Sequence, residues 1–366
     1  MEATARAPRF QPTSLADIDR IIDLYYYEAA PEGEGKPRVG GAGAYCYFGT
    51  PECGVLGGTE LEPWVNSLMS HVSTGQQVGE DFRVEFEGRA WRACRDVSEQ
   101  GTQISLRRLP TSAPVLTDLK MEEIRFRDIL QCEWLNEGGL VLVCGLTGQG
   151  KSTIAGGTVV TRLKRYGGRC LTVEDTIEVP MEGLWNLGSC RQLKVDYYAE
   201  DEKLRGFSGA IRRAYRSMPA TRPSMLFIGE VRDSETAVEV LKAASNGMLV
   251  ITTIHSFDPA SALLRLESLA RSAMGEAATM ALSQALRVVL HMRLQLAPDK
   301  TGWGRGHFTG TMLVSDGSSH PLGNVIRRAD YAQVAQIQQT QQIRLKQAGA
   351  CVPVEDLLKS LNVNLD

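Results

Sequence analysis

From Leu140 to Cys144 every residue is apolar, Leu-Val-Leu-Val-Cys, a β-rich run of the kind a strand buried on both faces requires. Thr153 to Leu163 then carries a helix-compatible pattern. Beyond it, strand-like and helix-like runs alternate at 169–174, 205–218, 225–230, 234–246, 248–254 and 260–271. That rhythm is what a parallel α/β sheet produces. Residues 326–362 read as helices with polar faces rich in glutamine: Gln333, Gln336, Gln338, Gln339, Gln341 and Gln342.

Upstream the pattern differs. Leu15, Ile18, Ile21/Ile22 and Tyr25/Tyr26 fall at helical spacing behind Ser14, an N-cap type, so a helix is predicted over 15–29. Pro31 to Gly58 is glycine-rich and fits either a long loop or an irregular hairpin, whereas 59–73 again looks helical. Three runs, from Asp81, Arg89 and Gln103, are separated by turn signals at Glu87-Gly88 and Gln100-Gly101, which predicts a small antiparallel sheet over 81–108. Pro110 to Pro114 reads as a linker, and residues 117–137 lead into the 140–144 strand. The expected organisation is an N-terminal α+β domain over 1–112, a linker over 113–120 and an α/β domain over 121–366.

Bulk composition narrows the picture. A chain of 366 residues with 43% hydrophobic and 23% charged residues is that of a globular protein. Its formal charge of −3 argues against a broadly basic, nucleic-acid-coating surface. No apolar stretch approaches the roughly 20 residues of a membrane span, and Met1 to Pro12 lacks the apolar core of a signal peptide. The expectation is therefore a cytoplasmic protein. Eight cysteines are scattered without a C-x-x-C, which reads as reduced thiols and not as disulfides or a zinc site.

The chemistry begins immediately after the buried run. Gly145 to Ser152, Gly-Leu-Thr-Gly-Gln-Gly-Lys-Ser, fits the phosphate-binding pattern G-x-x-x-x-G-K-[ST]. Glycines let successive backbone N–H groups turn into one anion-sized nest. Gly145, Thr147, Gly148, Gln149, Gly150, Lys151, Ser152 and Thr153 are thus the candidate nucleotide-binding residues. Lys151 places a cation against the β/γ-phosphates, Ser152 can ligate Mg²⁺, and the following helix points its N-terminal dipole at the same phosphates. A nucleoside triphosphate with Mg²⁺ is the expected ligand.

In an open α/β sheet, ligand chemistry gathers at the carboxyl ends of the strands. Cys170-Leu-Thr-Val ends in Glu174-Asp175, and Ser224-Met-Leu-Phe-Ile-Gly ends in Glu230. A nucleotide hydrolase needs carboxylates to hold the metal and to orient or deprotonate water. Glu174 and Glu230, as metal-binding and catalytic acids, are the two best placed. His255 ends a third apolar strand, where it can sense or polarise a γ-phosphate. Arg212 and Arg216, four residues apart on one helical face, either are solvated or reach a neighbouring subunit's phosphates.

With these elements in this order, the chain resembles the secretion-ATPase superfamily, the motors of type II secretion, type IV pili and type IV secretion. Thr172-Val-Glu-Asp-Thr-Ile-Glu178 resembles its Asp box, Ile228-Gly-Glu-Val-Arg-Asp233 its atypical Walker B, and Thr253-Ile-His255 its His box. Phe207 to Arg216 resembles the arginine-bearing helix ahead of Walker B. Leu106-Arg-Arg-Leu-Pro110 and Gly139 to Val143 look like the pilus-retraction branch. Asn246-Gly247-Met248 departs from that branch's Thr-Gly-His, and Arg216 to Pro223 is longer. Both departures lean towards the type IVB secretion and conjugation relatives, the DotB/TraJ-like group.

The resemblance implies a RecA-like ATPase domain behind a small PAS-like N-terminal domain. It further implies a homohexameric ring, peripheral at the bacterial inner membrane, acting on a secretion or pilus platform protein without zinc or direct nucleic-acid contact. An N-domain arginine (Arg89, Arg92, Arg107 or Arg108) could also close the site. Hydrolysis would do mechanical work through domain motions. Two rivals are a RecA-like nucleic-acid motor, against which the lack of a basic stripe with interleaved aromatics counts, and a nucleotide-gated scaffold with little hydrolysis.

Overall fold

The computed structural model describes residues 14–27, 43–47, 53–72, 81–98, 101–219, 223–298, 304–317 and 319–365. The chain divides into two compact units: Met1–Thr111 with Pro298–Arg305, and Ser112–Ala297 with Gly306–Asp366. The first therefore takes in a short segment from far along the sequence.

In the first unit, the alternation over 81–108 becomes β4 (Asp81–Phe86), β5 (Arg89–Ser98) and β6 (Gly101–Leu109), after β1 (Asp23–Tyr27), β2 (Gly43–Tyr47), β3 (Cys53–Val55) and α1 (Glu62–Val72). The six strands form one sheet in the order β3-β2-β1-β6-β5-β4, with every neighbouring pair antiparallel. Its core packs Leu24, Trp91, Ala93, Ile104 and Leu106 against Trp64, Val65 and Leu68 of α1.

The helix predicted over 15–29 does not form. Leu15–Arg20 is a six-residue 3₁₀ helix, and β1 follows it in the interior of the sheet, paired with β2 on one side and β6 on the other. Tyrosines favour strands. Here alternation buries Leu24 and stacks Tyr25 on Tyr45 at 5.0 Å, so two hydrogen-bonded ladders override helical spacing. Residues 28 and 29 lie outside the described residues. Of the glycine-rich stretch, residues 43–47 and 53–58 are described, and they include the antiparallel β2–β3 pair.

In the second unit, α2 (Ile124–Leu130) precedes β7 (Gly139–Gly145), α3 (Lys151–Tyr166), β8 (Gly168–Glu174), β9 (Gly183–Trp185) and β10 (Gly188–Lys194). Then come α4 (Gly206–Ser217), β11 (Ser224–Ile228), α5 (Ser234–Ser245), β12 (Leu249–His255), α6 (Pro259–Met274) and α7 (Ala277–Ala285). β13 (Leu286–Pro298), β14 (Gly304–Val314), α8 (Pro321–Arg327), α9 (Val334–Gln347) and α10 (Val354–Ser360) complete it. The eight strands run in the order β14-β13-β7-β12-β11-β8-β10-β9, parallel from β13 through β10. This is an α/β, RecA-like fold.

All seven residues of β7 are buried. Alternation sends Leu140, Leu142 and Cys144 into the core under α4 to α7, and Val141 and Val143 into the core under α3. Each fully buried Leu or Val contributes about 1.5–3 kcal/mol. The strand that carries the phosphate loop is thereby held from both faces. The glutamine-rich tail is not uniformly solvated: Gln341 is 3% exposed, and its amide bonds the Val314 N–H and C=O at 2.8 and 2.9 Å.

Candidate nucleotide-binding site

β7 ends at Gly145, the loop curls, and α3 begins at Lys151. Gly148 and Gly150 take φ of 76° and 78°, which side-chain-bearing residues rarely adopt, so this curl depends on glycine at both places. Gln149 and Gly150 are half-buried, Thr147 and Gly148 exposed, and Ser152 and Thr153 half-buried in the first turn of α3. The N–H groups of that turn have no partners within the helix and present the positive end of its dipole.

Parallel register carries the other elements to the same end of the sheet. β12 pairs with β7 so that His255 lies opposite Gly145. β11 follows β12, and Glu230 lies two residues past its end. A chain of polar contacts results. The Lys151 ammonium donates to Leu146 O at 2.9 Å and lies 3.2 Å from His255 Nδ1. An ammonium can only donate, so Nδ1 is the acceptor and the ring proton sits on Nε2. Nε2 is 3.3 Å from Glu230 Oε1. Arg232 donates to Glu230 at 2.8 Å and to Asp175 at 3.2 Å. Thr147 Oγ1 is 3.5 Å from His255 Nδ1.

The electrostatics agree with that assignment. Burial, and after it the Lys151 charge, hold His255 below its ordinary pKa, which favours neutral imidazole. Burial likewise lowers Lys151, against the opposing pull of Glu230 and Glu178. A buried lysine with two carboxylates nearby is poised for an anion that brings more negative charge.

The two strand-end glutamates differ. Glu230 faces the loop. Glu174 is 4% exposed, accepts from Thr172 at 2.6 Å and Gln192 at 2.9 Å, and is pushed up to about 7 by burial. The carboxylate that meets the loop hydroxyl is instead Glu178, to which Ser152 Oγ donates at 2.6 Å. Sequence reasoning took the strand-end acid and passed over this one. The available signal was the second glutamate of the same segment, four residues on, after the chain has left β8.

Arg212 lies on α4 with its guanidinium folded back on Ser208 O and Oγ, at 3.2 and 2.7 Å, and Arg216 is exposed in the last turn. The structure brings Lys151, Ser152, Glu230 and His255 together with Glu178. Arg212 and Arg216 stand apart, on the surface of α4.

The residues fit a nucleotide with its metal. Ser152 can donate its proton to Glu178 while its lone pairs face a cation. In the same segment Thr176 Oγ1 is buried without a hydrogen-bond partner among the described residues, as a group that binds water or ligand would be.

Three comparisons bear on this site. The sequence model of the Type II/IV secretion system protein family matches residues 94–356. The Escherichia coli (strain K12) protein YggR is 27% identical over 344 residues, 91% of this chain and 96% of its own length. The type IV pilus assembly ATPase TfpB of Acinetobacter baylyi is 31% identical over 222 residues, 56% of this chain; the match spans only 35% of TfpB. Among solved structures, the pilus retraction motor PilT with bound ADP aligns over 96% of this chain and 95% of its own, with a TM-score of 0.63 at 23% identity. The Legionella pneumophila ATPase DotB aligns over 93% and 92%, with a TM-score of 0.58 at 21% identity. These two likenesses are of fold. Because the family's sequence model spans the P-loop, all three acidic or histidine-bearing strand ends and α4, the chain belongs to the Type II/IV secretion system protein family.

Proposed function

We propose that this chain is an ATPase that powers a secretion or type IV pilus machine, working as a ring of six subunits at the inner membrane. The observation that carries the reading is the convergence of Lys151, Ser152, Glu178, Glu230 and His255 at the carboxyl end of one parallel sheet. A relative described as a type IV pilus assembly ATPase and one described as a type II secretion system protein E support it. No helix among the described residues is long and apolar enough to cross a membrane, so contact with a platform protein is proposed as peripheral.

In this reading the loop N–H groups and Lys151 bind the β- and γ-phosphates. Lys151 must leave Leu146 O and His255 to do so. Nδ1 of His255 is then released to face the γ-phosphate while Nε2–H stays on Glu230. Ser152 and Glu230, the latter through water, would hold Mg²⁺, which supplies charge neutralisation on the phosphates. Glu178 accepts the proton of the attacking water, and the γ-phosphoryl–oxygen bond breaks to leave ADP and phosphate. Glu174, buried behind it, positions the segment through Gln192, whose side chain also donates to Val179 O at 3.0 Å. The PAS-like identity of the first unit, the domain limits at 113–120, the DotB/TraJ-like lean and the contribution of Arg212 or Arg216 to a neighbour's site belong to the same proposal.

The test is steady-state ATP hydrolysis by the full chain beside Lys151→Ala and Glu230→Gln, with mass followed by light scattering. Turnover from a six-subunit species, abolished in both variants and indifferent to DNA, is the expected result. A monomer without turnover, with or without DNA, would sink it.

A further inference from the structure

The apex of the P-loop is fastened to a strand pair that carries none of the residues proposed for hydrolysis. β13 pairs with β7 from Leu286 to His291, but β7 stops at Gly145 while β13 continues to Pro298. Past its partner's end the edge of β13 needs other acceptors. The Leu294 N–H finds one in the side-chain carbonyl of Gln149, at 2.7 Å. The next loop residue, Gly150, lies against Phe308 of β14: a Cβ there would fall 2.5 Å from a ring carbon. Phe308 is itself fixed, being 8% exposed, with its N–H on Lys120 O at 2.7 Å and its carbonyl accepting from Glu122 N at 2.9 Å.

The pattern G-x-x-x-x-G-K-[ST] leaves position 149 open, because the phosphate nest is made by backbone N–H groups. The side chain of Gln149 is thereby available for another task, and its oxygen is committed to β13. We propose that Gln149 is a positioning residue: with Phe308 it holds the loop apex on the β13–β14 pair in its phosphate-binding curl before nucleotide arrives. The inference rests on the reading of this loop as the nucleotide site. A loop ordered on folding does not have to be ordered on binding, so the fastening appears as affinity.

Two measurements on the full chain test it: hydrogen exchange at the Leu294 amide without nucleotide, and the Kd for Mg²⁺–ADP by calorimetry. Gln149→Met keeps the length of the side chain and removes the acceptor; Gln149→Glu keeps an acceptor. Leu294 should be protected in the wild type and in Gln149→Glu, and should exchange about tenfold faster in Gln149→Met. The ADP Kd of Gln149→Met should rise about three- to tenfold. Gln149→Ser, whose short side chain cannot reach β13, carries the same expectations should the Met variant fail to fold. Unchanged exchange at Leu294, or a Kd within about twofold of the wild type, overturns the proposal. A wild-type chain that binds ADP no better than Lys151→Ala overturns the nucleotide reading, and this inference with it.

Discussion

Glu178 can serve as a base only while it is ionised, and its contact with the Ser152 hydroxyl suits a carboxylate. Replacing it with glutamine keeps the shape and an acceptor oxygen but removes the basicity. Glu178→Gln should lower turnover about 10²- to 10⁴-fold, with ATP affinity held within about threefold. Pre-steady-state hydrolysis alongside equilibrium binding separates the two effects; equal losses in both would assign Glu178 to binding alone. Glu174 should behave differently. Its folded-state pKa is raised from the ordinary 4.5 to about 7, so the folded carboxyl keeps its proton where the unfolded one has lost it. The stability this contributes is complete below pH 4.5 and is lost as pH rises towards 7. Between pH 5 and 8.5 the wild type should therefore lose about 3–5 °C more in Tm than Glu174→Gln. Every other titrating group is shared, so equal losses would reject the assignment. The sequence made Lys151, Ser152, Glu230 and His255 legible because a local motif or a strand end marks each. Glu178 was not, because what brings it to Ser152 is the path of the chain after β8.

Elements were read well where one period dominated. β7 and β11 are almost wholly apolar, β8 and β12 carry buried apolar runs interrupted by threonines, and α3 starts where the glycine-rich loop stops, so local pattern and tertiary burial agree. β1 was misread because Leu15, Ile18, Ile21 and Tyr25 satisfy a helical period, whereas the deciding interactions, with β2 and β6, come from residues about 20 and 80 positions away. Gln341 shows a related limit: residues 326–362 read as helices with polar, glutamine-rich faces, and nothing local shows that one of those glutamines closes a strand edge. It occupies the place of a neighbouring strand, giving an acceptor and a donor to Val314. Gln341→Leu should thus leave both backbone groups buried and unpaired, at a cost of about 2–4 kcal/mol. Urea unfolding at constant m-value measures this, and a loss below about 0.5 kcal/mol would show that α9 re-sites to repair the edge.

At the scale of the molecule, the arginines of α4 pose the remaining question. Arg212 and Arg216 are exposed, and Arg212 is held only by Ser208 of its own helix among the contacts described, so neither side chain is consumed by the subunit that carries it. A ring repeats one heterologous interface, which puts the same face of every subunit against the next subunit's other face. If α4 completes the neighbour's site, Lys151 and Arg212 of one working site come from two different chains. Lys151→Ala and Arg212→Ala rings should then each be inactive. Mixed rings should not be: wherever an Arg212→Ala subunit supplies Lys151 and its neighbour, a Lys151→Ala subunit, supplies Arg212, an intact site is rebuilt. Random mixing in equal amounts creates such a pair at about a quarter of the interfaces. Turnover of the mixture should accordingly recover to a sizeable fraction of that share, less whatever coordination between sites removes. Subunit exchange before the assay, checked by fluorescence transfer between labelled variants, ensures that rings have mixed. If mixing is complete and turnover stays at the level of the parents, Arg212 acts within its own subunit or not at all. The same experiment with Arg216→Ala decides between the two residues.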